Sequence, residues 1–340
     1  MAKEKRKITL ELDYQNSIET PPASPQQLYG NACSSDTITI ESWRGIWIEN
    51  VKANKKRFGN FKDHSIGKLF GINSYKPAII VGSGPSLGYN GDKLKDRGPL
   101  LAVSCLHNYH FFEDRNIPID YYVSLDAGEI VLEEIAEGGT KSEKEYWDST
   151  KDKKLCAFIG SSPKLFEKWQ GEIYLFNAPV PDQAYIQTVA GLEEFNTYVS
   201  NGGNVLGACL YISKGIMGSN PIAFMGADFS FGYDKRFHSW DSKYDKKLGN
   251  VLRGVDVFGN KVLTWPSYMN FKYWFDYIAL QVPGLYINCT EGGMMGAYPE
   301  GNLMAIKQMG IQDFIEMYRM HEQLRPSCEN PEIQEKRILF

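Results

Sequence analysis

The run Val81-Gly82-Ser83-Gly84-Pro85-Ser86-Leu87 directly follows the β-branched stretch PAIIV. Glycine reaches backbone conformations barred to other residues and lets a ligand approach the main chain closely. A Gly-rich turn leaving a strand presents N–H groups to a phosphate, and the hydroxyls of Ser83 and Ser86 would add donors. The pattern is not GxxxxGK[ST], because no Lys follows in register, and not GxGxxG, because Leu87 stands at the third glycine position. A plain tight turn is the bland alternative.

Two carboxylates end apolar runs. Asp126 closes IDYYVSLD (119–126) and Asp228 closes NPIAFMGAD (220–228). A carboxylate at a strand's C-terminal end sits at the ligand edge of a parallel sheet, where it could hold a sugar hydroxyl, a base or a metal. The two Asp could converge on one Mg²⁺ or on one ribose; an Asp capping the next turn is nearly as ordinary. Asn201-Gly202-Gly203-Asn204 opens a helix, and Asn288-Cys289-Thr290-Glu291-Gly292-Gly293 follows the last apolar run. Both are polar, Gly-rich turns on the same expected edge. Of the five histidines, His238 lies in the polar loop Arg236-Phe237-His238-Ser239-Trp240, downstream of Asp228. A general base working near neutral pH is most often His. His107 and His110 sit on LHNYHFFED, where facing the core or capping a helix is at least as ordinary, and His64 and His321 read as surface residues.

These positions need elements to carry them. From Lys76 short apolar runs alternate with amphipathic stretches: 77–82, 99–104, 119–126, 154–160, 172–176, 220–228 and 285–290, with helical patterns near 106–115, 128–149, 163–169, 204–217, 267–282 and 303–324. Near-continuous apolar strands separated by helices mean a parallel sheet covered on both faces. The expected fold is a doubly wound, mainly parallel α/β (Rossmann-like) core, with ligands beyond the strand C-termini. VDVFGNKVLT (255–264) breaks the rhythm and reads as a small hairpin insertion turning at Gly259-Asn260. The aromatics of SYMNFKYWFDYIAL (267–280) read as core rather than as a ligand platform. The expected organisation is an extended appendage over 1–40, where TPPASPQQ resists helix and sheet. A helical segment follows over 41–75, with a Lys/Arg-rich end suited to a helix C-terminus. The α/β domain is expected over 76–325, with a tail over 326–340.

The chain has 340 residues, with 37 Lys+Arg against 41 Asp+Glu for a formal net charge of −4. Such a balance argues against a dedicated nucleic-acid binder. No run of about 18 apolar residues predicts a membrane span. The basic N-terminus lacks an apolar stretch behind it, so it does not read as a secretory signal. The six scattered cysteines form no C-x-x-C pair, which suggests a reduced, cytoplasmic chain without structural zinc. A homo-oligomer is compatible with all of this.

Taken together, the blocks Gly82–Leu87, Ile119–Asp126, Gly202–Val205, Phe224–Asp228, Asp256–Asn260 with Thr264, and Asn288–Gly293 make the stretch from Trp43 to Met320 resemble the MptE-like domain family. That family includes motility accessory factors linked to flagellin glycosylation. The same blocks look like those of bacterial sialyltransferases that use CMP-sialic acid. The resemblance implies that Gly82, Ser83, Gly84, Pro85 and Ser86 contact the nucleotide and that Asn108 helps hold it. It further implies that His238 is the base, with Tyr233 and Tyr244 as donors to the departing phosphate. Asp126, Gly202, Gly203, Asp228, Thr290, Glu291 and Gly292 complete the expected nucleotide site. The family is named for an enzyme that transfers diphosphate from ATP to a hydroxymethyl-dihydropterin, and Mg²⁺ held by Asp126 and Asp228 belongs to that alternative alone. The paired-acid D-x-D-G motif of such kinases is not found, since position 124 is Ser, and neither is their H-x-H-G-D-N motif. The expected activity is therefore glycosyl transfer from a nucleotide-activated sugar. ATP-dependent diphosphate transfer and a non-catalytic nucleotide-binding accessory role are the alternatives.

Overall fold

The computed structural model describes residues 18–19, 25–192, 197–231, 238 and 252–324. Eleven strands are present among them: β1 (Ile18–Glu19), β2 (Ala78–Val81), β3 (Leu101–Cys105), β4 (Tyr121–Ser124), β5 (Lys154–Phe158), β6 (Glu172–Phe176), β7 (Ile222–Met225), β8 (Leu252–Val255), β9 (Lys261–Thr264), β10 (Tyr286–Asn288) and β11 (Ile306–Gln308). Eight form one sheet in the order β11-β10-β7-β2-β3-β4-β5-β6. Every pairing in it is parallel. The fold is an α/β, Rossmann-like sheet with helices around it, as the alternation of apolar runs and helical patterns predicts.

β2, β4 and β7 are buried along their whole length, with sequences AIIV, YYVS and IAFM. Strands buried on both faces lose the polar/apolar alternation of a one-sided sheet. The chain winds outward from β2 to β6, then returns so that β7 pairs with the other side of β2. This reversal makes the carboxyl ends of β2 and β7 the topological switch point, the place where such sheets take ligands.

β8 and β9 form the expected hairpin, antiparallel with Val255 opposite Lys261. Its five-residue connection is organised by Asp256, whose Oδ1 accepts the amides of Phe258 (2.9 Å) and Asn260 (2.8 Å). β1 adds to it in parallel.

Three expectations are corrected. Residues 25–40 are not extended: one helix runs Pro25–Phe58, with Lys55, Lys56 and Arg57 in its last turn. Pro in a first turn gives up an N–H that has no helical partner anyway. The single helix expected over 128–149 is two, Ile130–Glu134 and Glu143–Asp148, separated at Gly138 (φ 76°). The second restarts with a reciprocal cap between Ser142 and Glu145. The helix expected over 303–324 begins at Ile311, and β11 occupies the stretch before it. Three residues are too few to show a strand's period.

Candidate functional site

At the β2–β7 crevice two backbone turns are locked together. The amide of Gly82 donates to the carbonyl of Met225 (2.8 Å) and that of Gly84 to the carbonyl of Gly226 (2.9 Å). A Cβ on Gly82 would meet the Gly226 carbonyl oxygen at 2.6 Å, and one on Gly84 would collide with the Asp228 carboxylate. Gly226 has φ +58°, and a Cβ there would strike the Gly82 carbonyl oxygen. The glycines are thus required by mutual approach of the two turns. Asp228 is only 6% exposed. Its Oδ2 accepts the Ser86 hydroxyl (2.7 Å) and its Oδ1 the Ser86 amide (3.2 Å). Burial pushes this carboxyl up to about 7, against the lowering effect of the two Ser86 bonds.

The Ser86 donors expected to face a phosphate are therefore spent on Asp228, and Asp228 braces the turn with both oxygens. Pro85 is buried. Ser83 stands at the crest, partly exposed, and neither its amide nor its hydroxyl is bonded within the described residues.

Asn108 is fully buried and donates to the carbonyl of Gly82 (3.0 Å) and to the Ser104 hydroxyl (3.0 Å). It stiffens the Gly-rich turn from β3. Thr290 is also buried, and its Oγ1 accepts the amide of Ala227 (3.2 Å). Glu291 accepts from Lys93 (2.9 Å) and caps the final helix through the amide of Ile311 (3.0 Å). Gly292 is buried beside it, its carbonyl 3.5 Å from Asn288 Nδ2. These side chains of the β10 turn hold protein atoms.

His238 lies with its ring edge-on to His107, centroids 5.0 Å apart. His107 in turn meets the carboxylate of Glu137 at 3.1 Å. Burial, with His107 adding to it, pushes His238 down to about 3, while Glu137 opposes the shift. Burial likewise pushes Glu134 up to about 7, with His107 opposing and Asp126 and Glu137 adding. A histidine–carboxylate cluster therefore occupies the carboxyl end of β3, between the Gly-rich turn on β2 and Asp126 on β4. Reading His107 as a core or cap residue missed it; its closeness to Glu137 is a tertiary fact. Tyr233, Tyr244 and Trp240 lie outside the described residues.

Asp126, Gly202 and Gly203 meet elsewhere. They line a cavity of about 520 Å³ over the carboxyl ends of β4, β5 and β6. The helix Pro25–Phe58 supplies Trp43 and Trp47 to it, and the helix Pro266–Gln281 supplies Trp274 and Tyr277. Gly202 (φ +56°) is needed here, because a Cβ would overlap the Trp274 indole. Asn201 and Asn204 shape the turn: Asn201 Oδ1 accepts the amide of Gly203 (2.8 Å), and Asn204 Oδ1 that of Gly207 (2.9 Å). Asp126 is partly exposed, and its carboxylate has no hydrogen-bond partner among the described residues. Burial raises its pKa while His107 opposes. The four aromatic walls were read as core or left unassigned. The only sequence signal for them was two Trp four residues apart on an otherwise basic helix.

Asp126 and Asp228 thus belong to different surroundings. No group of three or more His, Cys, Asp or Glu placed to hold a metal ion occurs among the described residues. Asp228 is bonded to Ser86 through both oxygens, whereas Asp126 faces the aromatic-walled cavity. No helix among the described residues is long and apolar enough to cross a membrane.

No curated protein matches the chain. Among solved structures it is similar to the MAf glycosyltransferase from Magnetospirillum magneticum AMB-1, at 13% identity and a TM-score of 0.49 over 77% of this chain. The match spans 41% of that longer structure. The family model described as 6-hydroxymethylpterin diphosphokinase MptE-like matches residues 48–234. This stretch runs from the N-terminal helix past β7 and contains the Gly-rich turn, Asn108, Asp126, Gly202, Gly203 and Asp228. With more than half its length under that model, the chain belongs to the MptE-like family.

Proposed function

We propose that the protein is a nucleotide-dependent transferase that moves a glycosyl group from a nucleotide-activated sugar to an acceptor hydroxyl. The observation that carries this reading is the position of His238. His238 stands ring to ring with His107, just beyond β3, the strand flanked by β2 with its Ser83 turn and by β4, after which Asp126 lines the cavity. In this reading the nucleotide phosphate lies at Ser83 and the acceptor lies in the cavity. His238 takes the proton of the acceptor hydroxyl as its oxygen attacks the anomeric carbon and the bond to the nucleotide phosphate breaks. Burial depresses its pKa, keeping the imidazole neutral and, before a ligand enters, a weak base. An entering phosphate raises that pKa and strengthens the base.

The test is a thermal-shift panel of CMP, CDP, UDP, GDP and ATP, each with and without Mg²⁺. A ligand that binds only the native state stabilises it by about 2.7 kcal/mol at 100 times its Kd. The expected result is a metal-independent shift with a cytidine nucleotide, retained in His238→Ala while transfer is lost. A shift with ATP plus Mg²⁺ alone would instead support diphosphate transfer, the activity in the family's description. Silence across the panel would favour an accessory role.

A further inference from the structure

The cavity over β4–β6 has a definite chemistry. Its walls present three indoles and a phenol, from Trp43, Trp47, Trp274 and Tyr277, and its charged lining side chain is Asp126. No Lys or Arg lines it among the described residues. A phosphate- or carboxylate-bearing ligand would meet the Asp126 carboxylate there with no lining Lys or Arg to balance it. An uncharged ring with an apolar face and several hydroxyls fits instead. Aromatic faces take the C–H side of the ring, and a carboxylate accepts short, charge-assisted bonds from vicinal hydroxyls. The volume, about 520 Å³, lies in the usual range for small-ligand sites.

The origin of the walls adds to this. Trp43, Trp47, Trp274 and Tyr277 all fall outside residues 48–234, whereas Asp126, Gly202 and Gly203 fall inside. The family domain supplies the floor and the flanking helices supply the stacking faces.

We infer that this cavity is the acceptor subsite and that it takes an uncharged pyranose, stacked on the indoles with its hydroxyls on Asp126. The assignment as acceptor subsite rests on the transferase reading; the binding of a neutral sugar does not. The test is saturation-transfer NMR on the full chain with methyl α-D-glucopyranoside, methyl β-D-galactopyranoside, methyl α-D-mannopyranoside and methyl N-acetyl-β-D-glucosaminide. N-acetylneuraminate and choline serve as the anionic and cationic contrasts. At least one glycoside should bind, and Asp126→Asn and Trp43→Ala should each weaken it ten-fold or more. Trp43 is 36% exposed and Asp126→Asn is isosteric, so neither change removes a fully buried core side chain. Trp43→Ala should leave any nucleotide-induced thermal shift unchanged. The inference is overturned if no glycoside binds, if the variants bind it as the parent does, or if N-acetylneuraminate or choline binds in its place with the same dependence. Glycoside binding with a silent nucleotide panel would overturn the transferase reading alone. A nucleotide shift without glycoside binding would overturn the subsite alone.

Discussion

Asp228 and Gly84 show how little room the crevice leaves. The carboxylate sits where a Gly84 side chain would go, and it clasps both donors of Ser86. Gly84→Val drives a branched side chain into a buried carboxylate and a fixed carbonyl. We expect a loss of about 3 kcal/mol in urea denaturation, of the size that core overpacking brings, together with loss of any nucleotide-induced thermal shift. The glycines themselves were legible as a ligand-edge turn. Their immediate partner was not, because Asp228 is 142 positions from Ser86 and only the parallel pairing of β2 with β7 brings the two turns together. Asn108, Thr290 and Glu291 stand at the expected edge, yet their side chains bind main chain and neighbouring side chains. Residue type and strand position locate a turn without saying which way its donors point.

The helix Pro25–Phe58 owes its seat to a few polar anchors as well as to its aromatics. Asn54 is fully buried and donates to the carbonyls of Ile159 (2.8 Å) and Ser161 (2.9 Å), just beyond β5. Asn50 likewise spans the carbonyls of Ala127 and Gly160, both at 3.0 Å. Asn54→Leu leaves two buried carbonyls unsatisfied, at roughly 1–3 kcal/mol. We expect a lower denaturation midpoint and, since Trp43 and Trp47 ride on the same helix, altered tryptophan emission in the native state. The strands of the main sheet other than β11 were readable because each is a short, mostly apolar run. The extent of this helix was not. Pro and Ser near residue 25 read as breakers when scored one by one, although Pro25 stands in a first turn where it costs little. The helix Pro266–Gln281 was readable as a helix, but not as a cavity wall.

Across the molecule, acid stability is set by opposing buried groups. Burial holds His110 at about 4 and His238 at about 3. Each binds fewer protons folded than unfolded below the ordinary value of 6.5, so the stability each contributes is lost as pH falls through that window. Asp228 runs the other way: protonated when folded below about 7 but ionised when unfolded above 3.8, it favours the fold at low pH and loses that contribution as pH rises. Each histidine should therefore cost on the order of 1 kcal/mol between pH 6.5 and 5.5, partly offset by Asp228. Melting temperatures across pH 4–8 should fall more steeply on acidification in Asp228→Asn than in the parent, because the variant lacks the opposing group.

The architecture also sets an order of assembly. The roof helix Pro25–Phe58 packs against the helix Pro266–Gln281, more than 200 residues further along the chain. On the ribosome it emerges long before the surface it must lie on, and such distant pairings close late in folding. Trp47 can meet Phe158 and Tyr185 earlier, but until then the indoles of Trp43 and Trp47 lack the second wall of their cavity, so the cavity itself closes only after most of the chain is made.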